Sequence, residues 1–239
     1  MKQYSKINFT FIVIFWLLSP FNILAETAKD NTIKLNSDHS EIDGKSGAFK
    51  HCGNAILKQQ GMTIKAECLI GEKSANGDYR FISAEGNPAE LIQTSGDKNE
   101  SLNLKAKLIK YRVPESLFVV KGKAQLVLLS NNNDRLSIQA DEIQLDNKQT
   151  QERSIAAKGK PLAIELIKSD VTDLKAEARE LKYNTKTHDL VLTTEVQANL
   201  ALGQISAGLF KYNSETKVSS FEKSDDSQIE IIQTAKEEK

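Results

Sequence analysis

Little in this chain of 239 residues is equipped for covalent or redox chemistry. Two cysteines are too few for a disulfide-built scaffold. Four prolines exclude an extended polyproline rod. Three histidines, His39, His51 and His188, stand at unrelated positions, with no second metal ligand at helical or hairpin spacing. No Gly-x-Ser-x-Gly, phosphate loop or His-Glu-x-x-His occurs. Adjacent acids such as Asp141-Glu142 would point to opposite faces of a strand, which suits solvent better than acid–base work. The chain therefore reads as no enzyme, with no cofactor and no metal. Charge of one sign is missing too. Lys and Arg total 32, as do Asp and Glu, so no net field would draw a nucleic acid.

Long hydrophobic runs are absent except at the start. Lys2 and Lys6 precede Phe9 to Leu18, which is apolar but for Thr10. Ser19-Pro20 breaks the run, and Asn22-Ile23-Leu24-Ala25 ends on a small residue. This is the layout of a secretory signal helix over 1–25, cleaved after about Ala25. A retained anchor is the alternative, but the run is short of the roughly 20 residues a span needs. Cleavage would remove Trp16 and four of nine phenylalanines, leaving a mature chain rich in aliphatics and slightly acidic. It would also imply export to an oxidising compartment.

What the chain does have is a repeat. Ile64-Lys65-Ala66, Leu104-Lys105-Ala106, Ile138-Gln139-Ala140, Leu174-Lys175-Ala176 and Ile205-Ser206-Ala207 each open an alternating stretch. Between them fall Gly53-Asn54-Ala55, Gly86-Asn87-Pro88, Gly122-Lys123-Ala124 and Gly159-Lys160-Pro161, with the glycines 33, 36 and 37 residues apart. Such a period marks stacked units that cannot bury their apolar faces alone. Period-two alternation makes each unit a pair of strands. The expectation is an all-β, elongated stack of antiparallel strands over 31–233, about six units in one domain, with a frayed tail at 234–239. Residues 173–181 contain good helix formers, but the repeat register makes them a strand.

Parity slips in the same place in several units, as from Ala140 to Ile143 and from Ala178 to Leu181. Recurrent slips predict a bulge or corner in each strand. Turns are expected at Arg112-Val113-Pro114, Asp146-Asn147, Asn184-Thr185 and Asn213-Ser214. The glycine slot is filled by Glu195-Val196-Gln197 and Ser224-Asp225-Asp226 in the last two units, which reads as drift toward a cap. Cys52 and Cys68 flank a hairpin centred near Gln60-Gly61, within reach of a disulfide; two small buried side chains are the other reading.

Inward alternation nominates Ile64, Leu104, Phe118 and Ile138 for the interior, while Lys65, Lys105 and Lys175 take the wet face. An interior of this kind is either a closed core or a slot that admits alkyl chains. The end strands, Thr32 to Asn36 and Gln228 to Gln233, contain no proline, so unlike edges could pair head to tail.

The order Ile33-Lys34-Leu35-Asn36-Ser37-Asp38, Ile42-Asp43-Gly44, Gly53-Asn54-Ala55, and then Lys110-Tyr111 to Phe118-Val119-Val120-Lys121-Gly122-Lys123-Ala124, resembles the OstA-like domain family. The resemblance implies an open β-jelly roll whose apolar interior holds the acyl chains of lipopolysaccharide. It implies a periplasmic lipopolysaccharide-binding protein bridging an inner-membrane export complex and an outer-membrane translocon, with copies joined end to end. Acyl contacts would fall on Ile33, Leu35, Leu91, Tyr111 and Leu145. Leu91 and Leu145 are aliphatic where the family usually has aromatics. The alternatives are a membrane-anchored periplasmic subunit of the same export system and a closed-core structural β-solenoid that binds no lipid.

Overall fold

The computed structural model describes residues 34–59, 61–74, 76–94, 100–130, 134–149, 152–200, 203–223 and 228–232. The N-terminal segment read as a signal helix, Ile33, the Ser224-Asp225-Asp226 slot and the tail lie outside them. Among the described residues there is no helix. Residues 173–181 are strand, as the repeat register requires.

The strands are β1 (Lys34–Asn36), β2 (His39–Ile42), β3 (Phe49–Gln59), β4 (Met62–Lys73), β5 (Tyr79–Thr94), β6 (Ser101–Arg112), β7 (Leu117–Leu129), β8 (Arg135–Gln149), β9 (Glu152–Lys168), β10 (Val171–Asn184), β11 (Asp189–Leu200), β12 (Gly203–Asn213), β13 (Ser219–Glu222) and β14 (Glu230–Ile232). They form one antiparallel sheet in which β3 to β12 follow in sequence order. Each end is finished by two short strands: β1 and β2 pair with the two ends of β3, and β14 and β13 pair with the two ends of β12. The turn expected at Asp146-Asn147 is displaced. There Asp146 still pairs with Ser154, and β8 runs on to Gln149.

One face of this sheet is buried along its whole length, from Ala55 and Leu69 to Leu192 and Phe210. No second layer exists among the described residues to cover it, so the sheet covers itself. It folds lengthwise along a line of bulges that crosses every long strand. Two leaves result, with one continuous core between them. Leaf A holds the strand segments on the Gln59–Met62 side of the bends, and leaf B those on the Arg112–Leu117 side. The hairpin turns of each leaf form its free rim.

The bends follow from unequal counts of residues. In the even strands, successive core residues flanking the bend are three apart, as Ala66 and Leu69, or Ala140 and Ile143. In the odd strands they are four apart (Val120 to Ala124) or five apart (Ala84 to Ala89, Ala157 to Leu162). The surplus cannot lie flat in a ladder, and the register breaks there in every long pair. Two local conformations absorb it, alternating strand by strand. In β3 and β7 a left-handed pair does so, Gly53-Asn54 and Gly122-Lys123. In β5 and β9 the segments are Gly86-Asn87-Pro88 and Gly159-Lys160-Pro161, each with a cis bond before proline.

The missing glycine of the next unit is not drift toward a cap. Thr194 and Glu195 take the same left-handed pair, with φ of 66° and 56°, so the bend is kept without glycine. A β-branched residue there is strained. Thr194→Gly is expected to raise the unfolding free energy by about 0.5–1 kcal/mol, after the extra chain entropy of glycine is deducted. Denaturant titration measures this; a loss of stability would show that Thr194 makes contacts outweighing its strain.

The same bulge aligns the cysteines. Gln59 pairs with Met62 and Ala55 with Ala66, but the extra residue at Gly53-Asn54 moves the partner of Cys52 to Cys68. The two are joined by a disulfide, so of the two readings the bond is the one realised. The loop it closes is short, and its stabilisation is on the order of 3 kcal/mol.

Candidate functional site

The space between the leaves is a wedge, and the sequence fits it layer by layer. Next to the bends the layer is mostly alanine, with Ala55, Ala66, Ala89, Ala106, Ala124, Ala140, Ala178 and Ala207 all buried, and with Leu162 and Val196 in the same layer on β9 and β11. One step outward in leaf A lies an unbroken cross-strand row. It runs Leu35, Leu57, Ile64, Leu91, Leu104, Leu126, Ile138, Ile164, Ala176, Ala198, Ile205, Ile231, each paired with the next, from β1 to β14. Leaf B answers with Tyr111, Phe118, Leu145, Ile155, Tyr183, Leu190 and Tyr212, also paired in sequence. Outward from the bends the side chains are larger, leucine and isoleucine in most of the leaf A row and aromatic or aliphatic in leaf B.

The residues nominated from sequence thus meet in one place. Ile64, Leu91, Leu104 and Ile138 belong to the leaf A row; Tyr111, Phe118 and Leu145 belong to the leaf B row. All seven lie in or against one core cluster, joined by Leu35 at the β1 edge. Ile33 lies outside the described residues. In β10 the register differs from the repeat alignment by two residues. Leu174, not Thr172, shares Leu166 with Leu136, Ala176 takes the place opposite Ile164 that the alignment gives to Leu174, and Ala178 takes the hinge layer. A bulge at Asp173, between Thr172 and Leu174, supplies one of the two residues, and the other comes from β10 starting one pair further out, with Val171 opposite Lys168 where β8 starts with Arg135 opposite Ile167. Sequence reasoning also missed Leu126, Ile155, Ile164 and Leu190, although their alternation was available.

Packing along the mouth is uneven. Leu104, Leu126 and Leu145 have no solvent exposure at all. The half-buried apolar residues against the core are Leu35, Phe49, Leu57, Tyr111, Leu128, Leu200 and Phe221. Five of the seven belong to β1–β7, so the looser stretch is the N-terminal one. Tyr111 and Phe118 lie ring to ring there, centroids 4.6 Å apart.

Outside, the wet face is laced by ion pairs between strands. Lys105 reaches Glu90 at 3.0 Å and Lys65 reaches it at 4.0 Å; Lys121 reaches Glu142 at 2.9 Å. Two shallow depressions lie on the ridge of the bends, one at Lys160, Pro161, Arg179 and Glu195, the other at Asn54, Lys65, Asn87 and Pro88. Both have mixed polar and apolar linings. The Lys105 ammonium holds the Glu90 carboxyl below its usual value of 4.5, assisted by Asn103 and Lys65. A carboxyl whose folded value is depressed stabilises the fold above its unfolded value and ceases to do so as pH falls through the folded one. Stability is therefore expected to decline below about pH 4.5, with a shallower decline in Lys105→Met. Denaturation midpoints across pH 2–6 check this; an identical slope in the variant would remove Glu90 from the account.

Residues 34–150 match the family model described as LptA/(LptD N-terminal domain) LPS transport protein. The chain is similar to the lipopolysaccharide export system protein LptH of Pseudomonas aeruginosa, with 20% identity over 103 residues. That alignment covers 43% of this chain and 59% of LptH, so the chain spans about three fifths of the relative's length. Among solved structures it is similar to the crystal structure of LptH, the LptA-homologous periplasmic component of the lipopolysaccharide transport device of the same organism. There the identity is 17% and the TM-score 0.42, covering 48% of this chain and 76% of that one.

Proposed function

We propose, on the premise that residues 34–150 are an LptA-like, OstA-type domain, that this protein is a periplasmic carrier of lipopolysaccharide. The acyl chains would lie between the leaves, along the row from Leu35 through Ile64, Leu91, Leu104 and Ile138, against Tyr111, Phe118 and Leu145. The observation that carries this reading is that row: an aliphatic strip crossing β1, β3 to β12 and β14, flanked by a layer rich in alanine and a looser N-terminal mouth. Alkyl chains need no directional partner, only apolar area removed from water, at about 0.8 kcal/mol per methylene. Parting the leaves exposes such area, and a chain laid in the gap covers it again.

In this reading the N-terminal segment is cleaved on export. The protein passes lipopolysaccharide from an inner-membrane export complex toward an outer-membrane translocon. Copies join head to tail through β1 and β14, whose row residues Leu35 and Ile231 would carry the strip across the joint. A closed-core structural solenoid is the second reading, favoured by the complete burial of Leu104 and Leu126.

Native mass spectrometry of the purified mature protein separates the two. The carrier retains lipopolysaccharide and ignores the same molecule stripped of its acyl chains. Equal adducts with both, or none with either, would overturn the reading.

A further inference from the structure

Among the described residues, a direct hydrogen-bonded tie between the two rims is centred on Asp173. Asp173 begins β10 on the rim of leaf A, at the bulge that leaves it without a partner on β9. Its side chain is only 15% exposed. Tyr212, at the end of β12, stands on the rim of leaf B, and its hydroxyl donates to Asp173 Oδ2 at 2.8 Å. The Lys217 ammonium, in the turn beyond Tyr212, reaches Asp173 Oδ1 at 2.6 Å. Both carboxylate oxygens of leaf A are thus held by groups of leaf B, from strands that are not neighbours in the sheet.

The turn that supplies Lys217 is fixed by Asn213. Its Oδ1 accepts from the backbone of Glu215 and Thr216, and its Nδ2 donates to Thr187 and Asp189. Lys217 itself is set in the left-handed region, at φ 62°. Tyr212 is 4% exposed and packs in the core cluster, so its ring is fixed as well. Charge-assisted bonds between such pre-positioned groups are stronger than ordinary surface pairs. All three residues lie beyond the stretch that matches the family model.

We propose that Asp173, Tyr212 and Lys217 form a clasp that holds the mouth of the wedge shut over the C-terminal strands. It confines entering alkyl chains to the strands before β10. The extra C-terminal strands are then a gated end of the slot, and a chain moving toward β14 must first open the clasp. The part concerning alkyl chains rests on the carrier reading above; the part concerning the rims does not.

Two tyrosines provide a matched comparison, because both stand in the leaf B row near the rim: Tyr111 in β6, outside the clasped stretch, and Tyr183 in β10, within it. A photoreactive phenylalanine analogue is placed at each in the full mature chain, alone and with Asp173→Ala, and irradiated with lipopolysaccharide vesicles. Amide exchange of residues 169–174 and 211–218 is measured in the same variants without lipid, with Tyr212→Phe as a milder cut. The clasp predicts adducts from Tyr111 in both backgrounds, adducts from Tyr183 only with Asp173→Ala, and faster exchange in both clasp variants. Adducts from Tyr183 with the clasp intact, or none there once it is cut although Tyr111 labels, would overturn confinement. Unchanged exchange in both variants would overturn the clasp itself. Faster exchange with no adducts at either tyrosine would uphold the clasp and sink the carrier reading instead.

Discussion

Leu104→Ala is expected to lose about 3 kcal/mol of unfolding free energy, while Lys105→Ala, one residue away, changes it by less than about 0.5 kcal/mol. The contrast comes from the sheet's two faces. Leu104 is wholly enclosed and sits mid-row between Leu91 and Leu126. Truncating it removes transfer free energy and leaves a void that the stiff flanking strands cannot close. Lys105 stands on the wet face, 43% exposed, and its ion pair with Glu90 is screened by water. Each strand touches only its neighbours, so the damage from Leu104 should concentrate in β5 to β7 and leave the C-terminal strands protected in amide exchange. A loss at Leu104 no larger than at Lys105 would mean that the leaves do not form a shared core.

Ile231→Pro is expected to abolish concentration-dependent assembly while leaving the inner strands folded. β14 is three residues long and exposed, with Ile231 50% accessible. A proline removes one N–H from an edge that has few to offer and distorts the strand that presents them. Leu35→Pro does the same at the opposite edge. In a head-to-tail chain each variant caps one end, and a mixture of the two yields a dimer through the intact edges. Sedimentation across concentration reads all three cases. A wild type that stays monomeric, or variants that assemble equally well, would remove edge pairing from the account.

Much of this architecture is legible in the residues, and the reason is periodicity. Alternation marks the buried face of each strand, and the slip from Ala140 to Ile143 marks the bend. The cysteine pair was legible as a hairpin, although its register depends on the bulge at Gly53-Asn54. What escaped notice was encoded in backbone conformation rather than in residue type. Thr194-Glu195 reproduces the left-handed pair of Gly53-Asn54 and Gly122-Lys123 with side chains that usually avoid it. Asp173 reads as one more solvated acid between Thr172 and Leu174; only the bulge turns it toward the other rim. One of the two residues by which β10 is shifted has the same origin. Of the nominated site, the eight described residues converge because inward alternation alone decides which side chains face the wedge.

The central claim is that lipopolysaccharide travels with its acyl chains between the leaves. The most direct test is photo-crosslinking in intact cells from two positions on β7: Phe118, which faces the wedge, and Lys121, which faces water with its side chain 50% exposed. A photoreactive phenylalanine analogue suits Phe118 with little change of shape. The account predicts lipopolysaccharide adducts from Phe118 and none above background from Lys121. Equal labelling from both faces, or labelling from Lys121 alone, would contradict it.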